Sequence, residues 1–219
     1  MSDPEMTDPE ASGATLSDDP FEPQLVHSER VFEGKVWDLR RDEFLYNGDP
    51  IVREYVDHTG AVAVLALDDE ERVLLIKQYR HPVRTRDWEI PAGLLDVQGE
   101  DPLVAAQREL AEEADLVASE WAVLGEFYTS PGGSDEAIRI YLARGVSAAA
   151  EVFARAEEEA DIEVAWVPLE EVVQAVLARR VQNPSLVIGV LAAHASKAQG
   201  WATLGAADEP WPRHPKLGR

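Results

Sequence analysis

The sequence predicts an α/β fold, a sandwich of mixed strands and helices with a small antiparallel β-sheet subdomain ahead of it. Three observations carry this prediction. Short strand-like runs recur between positions 25 and 167, alternating apolar and polar up to Val56, Asp101-Pro102 opens a helix among them, and two helical stretches follow the last strand. Mixed strands with helices in this order belong to α/β or α+β sandwiches, and 219 residues suffice for one ordinary core carrying a small extra unit.

Residues 1–20 are rich in Asp, Glu, Pro, Ser and Gly with almost no large apolar side chains. They cannot bury enough surface to offset ordering, so a disordered acidic tail is expected. Residues 21–57 hold alternating runs at 28–32, 36–44 and 51–56, punctuated by Gly34 and by Asn47-Gly48-Asp49-Pro50. Three short strands are marginal alone, so this sheet should pack on the main domain or on a second subunit. The main domain, residues 58–198, opens with strands at 61–67 and 73–79 around the turn Asp68-Asp69-Glu70-Glu71, the pattern of a hairpin. After a loop beyond Gly93, Asp101 supplies an N-cap and Pro102 the first position of a helix to about Ala114. Strands are expected at 122–128, 137–143 and 162–167, and helices at 169–180 and, capped by Asn183-Pro184, up to about Lys197. Residues 199–219, with three prolines, read as an arm or loose tail.

Composition narrows the function classes. No run approaches the roughly 20 apolar residues of a membrane span, and the acidic start lacks the basic and apolar regions of a signal peptide. The absence of cysteine excludes disulfides, thiolate catalysis and cysteine-ligated metal, and fits a cytoplasmic location. Any metal must be held by oxygen or histidine. With 42 acidic against 20 basic residues, a net charge of −22 disfavours nucleic acid and anionic membranes as partners. Most of that charge is explained by solvated faces that keep the chain soluble.

On the helix from Pro102, Leu103, Ala106, Leu110 and Ala114 form an apolar stripe at intervals of three and four. Glu109, Glu112 and Glu113 lie beside it within an arc of about 100°. Like charges so close repel. One reading is an ordinary solvated helix surface; the other is a hard divalent cation supplying the missing charge, since carboxylate oxygens suit Mg²⁺ or Mn²⁺. His58, His81 and His194 have no partner at metal-ligand spacing and are assigned core or surface roles.

The surrounding string decides between these readings. Gly93-Leu94-Leu95-Asp96-Val97-Gln98-Gly99-Glu100, seven further residues, then Arg108-Glu109-Leu110-Ala111-Glu112-Glu113-Ala114-Asp115-Leu116 resembles the Nudix box, G-x5-E-x7-R-E-U-x-E-E-x-G-U with U aliphatic. Two departures stand out: six residues separate Gly93 from Glu100, and Asp115 occupies the glycine position at the helix end. Aspartate is one of the few other residues that tolerate a left-handed backbone. The resemblance, which covers about residues 25–197, implies a Nudix α/β/α sandwich with a mixed sheet and a metal site made of Glu109, Glu112, Glu113 and the Ala92 carbonyl. It makes Glu112 and Glu113 catalytic as well as metal-binding. Glu100 and Arg108 would form a supporting ion pair.

Outside the box, Lys77-Gln78-Tyr79-Arg80, Trp88-Glu89-Ile90-Pro91-Ala92-Gly93 and Pro131, fifteen residues after Leu116, look like the branch of the family that acts on ADP-ribose. The resemblance implies Arg80 as a diphosphate clamp, a role suited to a bidentate guanidinium, although an ordinary surface arginine is the alternative. Pro131 and Gly132 would sit in a substrate-binding loop, and Glu136 matches a loop glutamate that serves as general base. Asp135 competes for that role, and Glu136 could instead be a metal-binding or an inert loop acid. The N-terminal sheet resembles a subdomain that forms a homodimer and holds adenine, with Trp37 stacking on the purine, or simply packed in the sheet, and Glu54 reading its amino group. The resulting expectation is Mg²⁺-dependent hydrolysis of ADP-ribose to AMP and ribose 5-phosphate. Another nucleoside diphosphate sugar is the nearest rival substrate, and a non-catalytic ligand-sensing domain is the rival from another class.

Overall fold

The computed structural model describes residues 16–150 and 161–217. The first fifteen residues of the expected acidic tail lie outside the described residues.

Strands β1 (Gln24–Phe32), β2 (Asp38–Tyr46) and β3 (Asp49–Asp57) form an antiparallel sheet in that order. The β2–β3 hairpin is set by Asn47 and Gly48, whose φ angles of 54° and 90° suit a two-residue turn of primed type, with Tyr46 paired to Asp49. Little of this sheet is buried: Leu25 and Phe32 on β1, Tyr46 on β2 and Val52 on β3 remain exposed, as do Val36 and Trp37 in the β1–β2 connection, where the expected strand from Val36 begins only at Asp38.

The main body contains two further sheets. Strands β4 (Ala61–Ala66), β7 (Ala92–Leu94), β8 (Leu116–Tyr128), β9 (Ala137–Ala148) and β11 (Gly205–Ala206) form a mixed sheet in the order β11-β8-β9-β4-β7, in which β4 and β9 run parallel. Strands β5 (Arg72–Arg80), β6 (Thr85–Glu89) and β10 (Glu163–Pro168) form an antiparallel sheet in the order β10-β5-β6. Alternate residues of the central strands feed opposite cores. Val62, Val64, Tyr141 and Ala143 pack towards helix α1 (Pro102–Ala114). Ala63, Leu65, Ile140 and Leu142 pack towards α2 (Leu169–Leu177) and α3 (Pro184–Ala198). Central strands covered on both faces make the layered α/β/α arrangement that the sequence predicts.

The expected β4–β5 hairpin does not form. The Asp68 turn is present, its carboxylate accepting hydrogen bonds from the Glu70 and Arg72 amides, but only a single Leu67–Val73 bridge joins the strands. The two edges of β4 are occupied by β7 and β9, and those of β5 by β6 and β10. Neither strand has an edge to offer the other.

The C-terminal stretch is a packed arm rather than a loose tail. Gly205–Ala206 pair with β8, and Trp211 and His214 are buried.

Candidate active site

Helix α1 presents the carboxylates. Asp101 caps it, its side chain accepting the Leu103 amide at 2.9 Å, and Pro102 follows at a position where no amide is needed. Asp115 ends it in the left-handed region at φ 55°, donating its amide to Ala111 O at 3.0 Å. Ala105, Ala106 and Leu110 are fully buried, which fixes the rotation of the helix and so the direction of the glutamates.

Glu113 is buried, and its carboxylate accepts the Ala92 amide at 2.9 Å, tying α1 to the start of β7. Glu109 lies over Gly93: a Cβ at Gly93 would stand 2.0 Å from the Glu109 carboxyl carbon, so glycine there makes room for the carboxylate. Arg108 gathers the rest. Its Nε and Nη2 donate to the two oxygens of Glu100 at 3.1 and 2.9 Å, and its Nη1 reaches Glu109 at 2.6 Å and Glu112 at 3.1 Å. The bidentate hydrogen bonds to Glu100 raise the pKa of the guanidinium, and Arg108 holds the Glu100 carboxyl below its usual range. Three carboxylates thus gather on one guanidinium, with Glu113 beside them. Among the described residues no three ligating side chains converge into a preformed metal cage, because Glu109 and Glu112 turn to Arg108 and Glu113 to the Ala92 amide. The donor set is nevertheless one of hard oxygens with excess negative charge, and the glycine cradle leaves Glu109 without a side chain beneath it. That chemistry fits Mg²⁺ or Mn²⁺.

A second group forms at the loop between β8 and β9. Gly133 and Ser134 donate their amides to Ser130 O, and the turn docks on the end of β3, with Val56 N donating to Gly133 O at 2.9 Å and Asp135 N to Val56 O at 3.3 Å. Glu136 Oε2 accepts from the Thr129 hydroxyl at 2.6 Å, and its Oε1 lies 3.4 Å from His58 Nε2. His58 Nδ1 accepts the Gly60 amide at 3.0 Å, so the proton of the neutral ring sits on Nε2, facing Glu136. Burial is the main reason that the His58 pKa is lowered. Asp135 turns inward instead, accepting the His58 amide at 2.7 Å. On β4, Ala63 stands between Ala92 and Ile140, and Ala61 between Leu94 and Ile138. Glu136 therefore lies just beyond the end of the sheet at which Leu94 enters the box loop.

Glu54, Pro131 and Gly132 line a cleft of ≈ 830 Å³ between the N-terminal sheet and this loop, together with Arg40, Arg53 and Lys216. The cleft does not extend to the α1 carboxylates; it lies beside the loop that carries Glu136. Glu54 is engaged by Arg41 at 2.6 Å. Trp37 rests on the His58 ring, centroids 5.5 Å apart, while remaining half exposed. Arg80, at the end of β5, donates Nε and Nη2 to the two oxygens of Glu89 at 2.8 and 2.7 Å. Glu89 is buried and lies three residues before Ala92.

The structure thus gathers the expected residues into four places: the α1 carboxylates with Ala92, the cleft with Glu54 and the 131–132 turn, Glu136 and Trp37 at His58 beside that cleft, and Arg80 on β5. Glu89, His58 and Lys216 join them without having been singled out as site residues. For Glu89 the signal was its place beside Trp88 in the quoted string; Lys216 stands in no motif.

The NUDIX domain family profile matches residues 57–186. The chain is 43% identical over 189 residues to an ADP-ribose pyrophosphatase of Mycobacterium tuberculosis, spanning 86% of this chain and 90% of that protein. It is 41% identical over 164 residues to an ADP-ribose pyrophosphatase of Bacillus subtilis, spanning 74% and 88%. A solved structure described as an ADP compounds hydrolase superposes with a TM-score of 0.65 at 21% identity, covering 84% of this chain and 99% of that one, and shares the fold.

Proposed function

The chain belongs to the Nudix family, and on that premise we propose that it hydrolyses the diphosphate bond of ADP-ribose to AMP and ribose 5-phosphate. The observation that carries this reading is the set Glu109, Glu112 and Glu113 on α1, held against the Ala92-Gly93 strand and braced by the Glu100–Arg108 pair. The substrate follows from the two ADP-ribose pyrophosphatases that the chain resembles over most of its length.

In this reading Glu109, Glu112, Glu113 and the Ala92 carbonyl hold Mg²⁺, with Mn²⁺ as a substitute. When bound, the cation supplies positive charge for the phosphate oxygens and acidity for a water. Arg108 keeps Glu109 and Glu112 directed to one side of the helix, and Gly93, lacking a side chain, lets the Glu109 carboxylate lie against the β7 backbone. Glu136 takes the proton of the attacking water at its carboxylate, and the Thr129 hydroxyl and His58 hold that carboxylate in orientation. Arg80, its side chain held by Glu89 through Nε and Nη2, is the diphosphate clamp. Pro131 and Gly132 line the substrate's entry, and Trp37 and Glu54 receive the purine. The exposed apolar residues of the N-terminal sheet, Leu25, Phe32 and Val52 among them, support pairing with a second copy, so sedimentation should give twice the mass of the chain, and a monomer would reject the dimer. The absence of cysteine supports a cytoplasmic setting.

Turnover of ADP-ribose, ADP-glucose, GDP-mannose and NADH, compared in Mg²⁺, tests the assignment. ADP-ribose should be cleaved fastest, with AMP among the products. Equal or better turnover of another compound would replace the substrate, and no turnover of any would return the chain to a sensing role.

A further inference from the structure

We infer that the C-terminal arm is a strap that holds the Glu136 loop in register, with Lys216 as a positioning residue for the hydrolysis. The inference rests on the functional reading above, and the arm it concerns lies outside the matched family segment, residues 57–186.

The strap is anchored first at Arg139, three residues beyond Glu136 on β9. This buried guanidinium pairs with Glu126 through Nε at 2.9 Å and Nη2 at 2.5 Å, and it also donates to the arm, Nη1 to Glu209 O at 2.8 Å and Nη2 to Pro210 O at 3.0 Å. Trp211 lies against the same guanidinium, 4.8 Å from its central carbon. The Tyr128 hydroxyl, at the entry to the loop, donates to Arg213 O at 2.7 Å. The second anchor is His214, which is buried over Gly60: a Cβ at Gly60 would stand 2.2 Å from its Nε2. His214 Nδ1 accepts the amides of Lys216 and Leu217 at 3.1 and 3.0 Å. These bonds close the turn that aims Lys216 back at the domain.

The Lys216 ammonium then meets three acceptors, the Asp57 carboxylate, His58 O at 2.6 Å and Asp135 Oδ2 at 3.4 Å. Asp57 ends β3 and Asp135 belongs to the loop docked on it. Without a cation between them, two carboxylates would face each other across that docking, and like charges held close repel. Two of the three acceptors, Asp135 and His58, lead to Glu136. Asp135 is its neighbour and accepts the His58 amide, and the His58 ring lies 3.4 Å from the Glu136 carboxylate. An ammonium eighty residues further along the chain therefore holds the backbone of His58, whose ring faces the proposed base, and the side chain of Asp135, its neighbour. Lys216 also lines the cleft, so an alternative role is direct contact with substrate. The two roles separate in kinetics: a positioning residue acts on kcat, a substrate contact on KM.

The test compares the full chain with Lys216→Met and Lys216→Arg, reading ADP-ribose turnover, melting temperature and the imidazole NMR signals of His58. The strap predicts that Lys216→Met lowers kcat roughly 10-fold or more at nearly unchanged KM, and that Lys216→Arg restores most of it. It also predicts that the His58 ring signals shift in the Met variant and return in the Arg variant. Unchanged kcat with unmoved His58 signals would overturn the inference, as would a rise in KM alone, which would assign Lys216 to the substrate. Should Lys216→Met unfold, Lys216→Gln carries the same comparison. If the wild-type chain cleaves no nucleoside diphosphate, the functional reading fails, while the His58 signals still decide whether Lys216 positions the loop.

Discussion

At Gly93 the space a side chain would fill is taken by the Glu109 carboxylate, 2.0 Å from the position of a Cβ. The obstacle is the far end of a flexible side chain, so Gly93→Ala should fold, with Glu109 turned aside. Turnover is expected to fall on the order of 10-fold or more while the melting temperature stays within a few degrees; unchanged activity would show that the close approach of Glu109 to the β7 backbone is dispensable. Residue-scale chemistry was legible where it depends on local backbone. Asp115, read from the sequence as a left-handed substitute for glycine, does adopt φ 55°. Arg80 was legible as a guanidinium at a strand end, but its bidentate bond to Glu89 depends on β5–β6 pairing that no spacing rule reveals.

Helix α1 carries its signals within itself. Asp101-Pro102 starts it and the three-and-four spacing of its apolar residues orients it, so its bounds follow from the sequence. Asp101→Ala removes the acceptor of the Leu103 amide and should destabilise the protein by about 1 kcal/mol in urea unfolding; a loss near zero would mean that water replaces the cap. The β4–β5 pair was misread for the opposite reason. Two short apolar runs around an acidic turn are the pattern of a hairpin, but whether two strands pair depends on which edges are free. The edges of β4 go to β7 and to β9, a strand some seventy residues further along the chain. The C-terminal arm was opaque for the same reason, since the partners of Trp211, His214 and Lys216 are Arg139, Gly60, Asp57 and Asp135.

Over the whole molecule, two histidines buried at the junction of the arm, the loop and β4 make stability depend on pH. Burial, reinforced by Lys216, pushes His214 down to about 4, and burial also lowers His58. In the unfolded chain both titrate near 6.5. Between the unfolded and folded values the unfolded state binds more protons, so this stability is fully present above about pH 6.5 and is lost as pH falls towards 4. The melting temperature should drop from pH 7 to pH 5, by on the order of 5 °C, and less in His214→Asn; an equal drop in that variant would place the effect on other groups. The same junction joins the N-terminal sheet, the loop and the arm, while the carboxylates stand on a helix packed through Ala105, Ala106 and Leu110 on one of the two cores. The account centres on those carboxylates. Its most direct test is the release of AMP and ribose 5-phosphate from ADP-ribose in Mg²⁺ by the wild-type chain and by Glu113→Gln, with folding checked by circular dichroism. The account predicts stoichiometric release of both products by the wild type and a loss on the order of 100-fold in a folded variant. Full activity in Glu113→Gln would contradict it.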